Sequence, residues 1–299
     1  MTAEIQTEEK TRPRRAWWAI LGALAAVLLI LPAVVFFAVP PTSSPWADKT
    51  GVPHGLHLTR VDGNIKITEA GTILDSVDVH GQVVVLAPDV IIRNSIVRGE
   101  SGGTNGGVID AMAGAANLQV IDSELFATAP SPYVNGIMGS NFTLTRVDIH
   151  GVVDQVHIVG DNVTISDSWL HDNLHYDEDP VHDGGPTHDD NVQIQIGRDI
   201  VIENSSLSGA WNAVVQITQD RGEVADVTFR NNEADGGWCS INVAQDDYGP
   251  VDGITVTGNV FGRNTRRDDC AIISPPTSPV ALEDNRFTDG EPIRVRRGD

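Results

Sequence analysis

Lysine is nearly absent from this chain: it occurs only at Lys10, Lys49 and Lys66. Twenty basic residues face 41 acidic ones, for a net charge of −21. The first fifteen residues carry +1, so the remainder carries −22. Such a surface repels nucleic acid and anionic lipid headgroups, and excludes both as electrostatic partners. A polyanionic sugar chain would be repelled too, unless a cation bridged the two. Cysteine is limited to two residues, which allows at most one intramolecular disulfide. A sustained 3.6-residue apolar period is missing after residue 53, which excludes a helical domain there.

Residues 16–39 are a run of 24 residues without charge, AWWAILGALAAVLLILPAVVFFAV. At about 1.5 Å per residue it can span a hydrocarbon core of roughly 30 Å. Arg12, Arg14 and Arg15 precede it, and Trp17 and Trp18 suit the interface. The positive-inside rule puts the N-terminus in the cytoplasm and the rest outside. A cleaved signal peptide is the alternative, although Pro40-Pro41 follows without an A-x-A site. Four segments are expected: a basic tail over 1–15, an anchor or signal over 16–39, a linker over 40–53 and one exported domain over 54–299.

That domain repeats itself. TILDSVDV, IIRNSIVRG, QVIDSELFA, TLTRVDIHG, TISDSWLHD, VIENSSLSG, TFRNNEADG, TVTGNVFGR and ALEDNRFTD each run from an apolar strand into a polar step. Their matched positions are Ile73, Ile92, Val120, Leu144, Ile165, Ile202, Phe229, Val256 and Leu282. A second motif of alternating residues recurs between them (DQVHIVG, DNVQIQIG, NAVVQIT, CSINVA), the mark of a half-buried strand. The expected fold is all-β: a single-stranded right-handed parallel β-helix of about nine coils. At about 4.8 Å per coil the rod is roughly 40 Å long. Cys239 and Cys270 open equivalent strands, CSINV and CAIIS, so a Cys239–Cys270 disulfide is expected across adjacent coils.

The runs AGTILDSVDVHGQVVVLAPDVIIRNSIVRG, VTISDSWLHD and THDDNVQIQ resemble the secreted right-handed parallel β-helix proteins of actinobacteria, with a pectate-lyase-like fold. Those proteins tend to carry a Ser/Thr-His-Asn-Asp-Gly-Ile/Val-Gln stretch. Thr187, His188, Asp190, Val192 and Gln193 match it, while Asp189 and Asn191 depart. The resemblance covers roughly residues 51 to 290 and implies the fold more than an activity. DDNVQI is also similar to a catalytic step of polygalacturonases, but their Gly-His-Gly and Arg-Ile-Lys steps have no counterpart here.

One interval between repeats, from Ile165 to Ile202, is much longer than the rest. It holds the insert HDNLHYDEDPVHDGGPTHDD, rich in histidine and acid. Long loops in compact repeats are commonly functional. Strand parity puts Val192, Ile194 and Ile196 inward and Asn191, Gln193 and Gln195 outward. It likewise turns Gln155, His157, Gln216, Ser240 and Asn242 outward. His157, Gln193, Gln195, Gln216 and Asn242 then form an amide and imidazole row suited to sugar hydroxyls, with Trp211 as a stacking face. Asp154 aligns with Asp190, and Asp189 lies beside it. Two close carboxylates raise one pKa, as a general acid requires. The expected chemistry is glycoside hydrolysis by Asp154, Asp189 and Asp190, with His188 as a further acid/base.

Two other readings stay open. A divalent metal could use His171, His175, His182 and Asp183, while calcium would prefer Asp172, Asp177, Glu178 and Asp179. A calcium-assisted polysaccharide lyase needs a base; pectate lyases use Arg or Lys, and the insert has neither. Arg146, Arg198 and Arg221 are nearest in sequence. The non-enzymatic alternative is a wall-polysaccharide scaffold. In every case the partner is a polysaccharide and the chain acts as a monomer.

Overall fold

The computed structural model describes residues 44–99, 106–113 and 115–298. The apolar run 16–39 and the tail before it lie outside these residues. No helix among the described residues is long and apolar enough to cross a membrane.

The described chain is all-β, with its strands stacked in three parallel sheets as in a parallel β-helix. The first sheet has ten strands, from Thr59–Asp62 to Arg286–Phe287. The second also has ten, from Ile65–Ile67 to Val295–Arg297. The third has nine, from Ile73–Asp75 to Val280–Glu283. The chain visits first, second and third sheets in turn, giving ten turns of the first two rather than nine. Inward residues such as Val79, Ile92, Leu144, Ile158, Ile194 and Phe261 fill one continuous core. No coil could bury its apolar side chains alone; stacking removes them from water.

The polar step has a physical cause. Between the third and first sheets one residue adopts left-handed backbone: Asn94, Asp122, Asp167, Asn204, Asn231 and Asp284 all have φ between 49° and 55°. Asn and Asp tolerate that region better than other side chains, and Gly258 takes the same place at +70°. The next residue, buried at each of these corners except Asn285 after Asp284, caps its neighbour. Ser168 N–H donates to Ser205 Oγ at 3.0 Å, Ser205 N–H to Asn232 Oδ1 at 2.9 Å, and Asn232 N–H to Asn259 Oδ1 at 2.8 Å. This ladder satisfies backbone groups at the corner that would otherwise be buried unpaired.

Eight of the nine matched repeat positions pair as expected, from Ile92 with Val120 to Val256 with Leu282. Ile73 is one residue off: Leu74 pairs with Ile92, and Ile73 is 52% exposed. The Cys239–Cys270 disulfide is present, with Cα atoms 4.7 Å apart. Residues 44–51, read as linker from sequence, instead lie against the stack. Trp46 Nε1 donates to Glu233, Gly51 N–H donates to Arg146 O, and Thr50 is buried.

Candidate functional site

The second sheet carries the expected row, with one set of corrections. His157, Gln193, Gln216 and Asn242 are register partners on four successive strands. Gln155, Asn191 and Ser240, also expected to face outward, are fully buried. Gln155 and Asn191 stand at the corner where the chain enters the second sheet. There the alternation has not begun, and Asn191 Nδ2 instead donates to Gln155 Oε1 at 3.0 Å and Ser208 O at 2.9 Å.

The insert between Trp169–Leu170 and Asp190–Ile196 folds over this face. Asp179 caps a single turn, Pro180–His182, by accepting the Val181 N–H at 2.8 Å. Asp183 follows in left-handed backbone. Between insert and sheet lies a cleft of about 360 Å³, lined among others by Asn135, Asp154, His157, His182, His188, Gln193, Gln195, Asp220 and Arg221.

Two aspartate–histidine pairs face this cleft. From the sheet, Asp154 Oδ2 lies 3.0 Å from His157 Nδ1. From the insert, Asp179 Oδ2 lies 2.8 Å from His182 Nδ1, and the His182 ring packs on His188 with centroids 4.1 Å apart. Burial opposes charge on His157, but the Asp154 carboxylate overrides it and raises the pKa above the ordinary imidazole value. His188 moves the other way, lowered by burial and by the neighbouring His182. One cleft therefore holds an imidazole biased toward the protonated form and another biased toward the neutral form. Arg221 lies close enough to His157 to influence it and forms no ion pair with a described carboxylate.

The three candidate carboxylates do not converge. Asp154 lines the cleft, but its Oδ1 accepts the Asp190 N–H at 3.0 Å. Asp190 is fully buried beneath it, with Oδ1 accepting from Asn212 Nδ2 at 2.9 Å. Burial first, and the Asp154 charge second, hold its carboxyl well above the usual range. Asp189 turns away to His175 Nδ1 at 2.6 Å and the Trp211 N–H at 2.7 Å. It too is buried, and burial raises its pKa against the opposing His175. Of the three, only Asp154 lines the cleft, and its side chain is itself nearly buried.

Trp211 sits outside the cleft, stacked on His175 with centroids 4.4 Å apart. The metal set is scattered. His171 bonds Asp148 and Asp172, His175 bonds Asp189, His182 bonds Asp179, and Asp183 follows the one-turn helix. No group of three His, Cys, Asp or Glu among the described residues could hold a metal. Of the calcium set, Asp179 is buried on His182 and Asp172 lies on His171, while Asp177 and Glu178 are exposed.

Sequence reasoning passed over Asn135, Asp220 and the pairing of Asp179 with His182. The i, i+3 spacing of Asp179 and His182 was the available signal; it matters only once Pro180 is seen to start a turn. Among the described residues, five buried side-chain polar atoms lack a partner: His157 Nε2, Asp190 Oδ2, Asn191 Oδ1, Gln195 Oε1 and Asn242 Oδ1. All five belong to second-sheet strands. Gln195 lies near enough to favour the protonated His157 ring, but His157 Nε2 and Gln195 Oε1 form no hydrogen bond with each other. Comparison with protein-family models, with curated proteins and with solved structures finds no match.

Proposed function

We propose that this chain is an exported, carbohydrate-active right-handed parallel β-helix that cleaves a uronate-containing polysaccharide by β-elimination in the cleft above the second sheet. The observation that carries this is the grouping in one cleft of a neutral-biased His188, a protonation-biased His157 backed by Asp154, and an Arg221 that forms no ion pair with a described carboxylate. Elimination needs these three roles. Arg221 pairs with the sugar carboxylate and stabilises the charge that develops there. His188 removes the proton on the carbon beside that carboxylate. The electron pair forms a carbon–carbon double bond, the glycosidic C–O bond breaks, and His157 protonates the leaving oxygen. The two imidazoles then re-equilibrate with solvent.

The hydrolytic reading needs two carboxylates facing each other across the scissile bond. With Asp189 and Asp190 buried, it loses that pair. The pull of Arg221 also offsets, locally, the repulsion of a polyanion by the chain as a whole. Export is supported by the apolar run 16–39, which would tether the domain with the N-terminus in the cytoplasm, and by the disulfide. A binding-only scaffold remains the second reading, because Asp154 and Asp189 each accept a backbone N–H as structural aspartates do.

The test is a panel of soluble polysaccharides, including polygalacturonate, alginate and xylan, followed by reducing ends and by absorbance of unsaturated products, with calcium or EDTA. Elimination gives both signals. Reducing ends without unsaturation restores hydrolysis, and retained binding with no turnover supports the scaffold.

A further inference from the structure

Trp238 is 46% exposed, an unusual place for a large indole. It stands at the corner between the first-sheet strand Glu233–Asp235 and the second-sheet strand Ile241–Val243. The same corner one coil earlier holds Trp211, and the insert one coil before that supplies His175. From the coil after Trp238 comes Arg266. Its guanidinium lies 3.2 Å from the Trp211 ring centroid and 5.2 Å from that of Trp238. His175, Trp211, Arg266 and Trp238 thus form one stacked column on the corner, from four successive coils.

The column is held from several sides. Arg266 Nε donates to Trp211 O at 2.9 Å, and its N–H donates to Gly237 O at 2.8 Å. Arg267 N–H donates to Trp238 O at 3.0 Å. Cys239 adjoins Trp238 and is disulfide-bonded to Cys270, so the two corner loops are covalently joined. Arg266 forms no ion pair with a described carboxylate, although the chain has 41 acids. The column also connects to the cleft. Trp211 N–H and His175 share the Asp189 carboxylate, and the adjoining Asn212 reaches Asp190 at 2.9 Å and Gln216 at 3.4 Å.

A rigid indole with an open face stacks on the C–H face of a pyranose, and a guanidinium beside it supplies donors for hydroxyl or carboxylate oxygens. We infer that Trp238 and Arg266 form a second sugar-binding subsite, gripping the polysaccharide about three coils, or roughly 14 Å, beyond His157 along the stack. This rests on the function proposed above and adds that the bound strand runs lengthwise, past Gln216 and Asn242, toward the C-terminal coils. Fixing both loops by the disulfide keeps the subsite from losing affinity to side-chain ordering.

The experiment is affinity electrophoresis of the full-length protein in native gels cast with polygalacturonate, alginate or xylan. Wild type, Trp238→Ala, Trp238→Tyr, Arg266→Gln and His157→Asn are compared, with thermal melts confirming that each is folded. The expected result is retardation of wild type, roughly tenfold weaker retardation for Trp238→Ala and Arg266→Gln, and recovery in Trp238→Tyr. His157→Asn no longer cleaves, and adding Trp238→Ala to it still weakens its retardation roughly tenfold. If Trp238→Ala and Arg266→Gln are retarded like wild type, the subsite is overturned while the cleft reading stands. If no polysaccharide retards or is cleaved by wild type, both fall together.

Discussion

Replacing Asp190 with asparagine separates a buried structural carboxyl from a catalytic one. Asp190 is fully enclosed, and burial together with the Asp154 charge raises its pKa well above the usual range. The folded chain keeps a proton that the unfolded chain releases above about pH 3.9. With more protons bound in the native state than in the unfolded one, stability falls as pH rises. The loss is about 1.4 kcal/mol per pH unit from the unfolded value up to the native one, and then levels off. Asparagine has no such proton to hold. Its amide nitrogen would occupy the place of Oδ2, which has no partner, at a pH-independent cost of about 1–3 kcal/mol. The variant should therefore be the less stable protein near pH 4, with the gap closing by about 1.4 kcal/mol for each unit above that. Urea unfolding of both proteins at successive pH values measures this directly. A gap that stays constant with pH would show that Asp190 is ionised in the fold, and would return it to the list of working carboxylates.

Four further outcomes follow from the same geometry. Turnover should show a bell-shaped pH profile around the ordinary imidazole value of about 6.5. Its acid limb lies below that value, where His188 gains a proton, and its alkaline limb above, where His157 loses one. Asp154→Asn removes the carboxylate that raises His157, so the alkaline limb should move to lower pH in initial-rate measurements. Reducing the Cys239–Cys270 bond, which closes a separation of 31 residues, should cost about 3–4 kcal/mol and appear as a lower Tm in reductant. Asn259→Ala removes the acceptor of the Asn232 N–H and the donor to Phe229 O, and should cost about 1–3 kcal/mol in urea unfolding.

The repeat was readable because most corners solve the same problem in the same way, Ser76-Val77 and Arg146-Val147 being exceptions. Asp122-Ser123, Asn204-Ser205 and Asn231-Asn232 each supply one left-handed residue and one buried cap, so the solution recurs as letters. Ile73 misled because the early strand exposes it; an apolar side chain marks phase only where the stack covers it. Strand parity located His157, Gln193, Gln216 and Asn242, but failed at Gln155, Asn191 and Ser240. There the chain is still turning a corner, and side-chain direction follows the corner's hydrogen bonds. The cleft was half legible. His157, His188, Gln193 and Gln195 came from the strand and insert, whereas Asn135, Asp220 and Arg221 join them only through the stacking of coils. Asp189 and Asp190, adjacent in sequence, diverge in the fold, one to His175 and the other beneath Asp154.

Chemistry is assigned to the cleft histidines and not to the buried aspartates. The direct measurement is the initial rate of formation of unsaturated product by wild type, His157→Asn and Asp190→Asn on the best polysaccharide of the panel. Loss of a positioned acid should lower the His157→Asn rate by about 10²–10⁴-fold, while Asp190→Asn stays within a few-fold of wild type. A collapse in Asp190→Asn with His157→Asn left active would place the chemistry on the aspartate and not on the histidines.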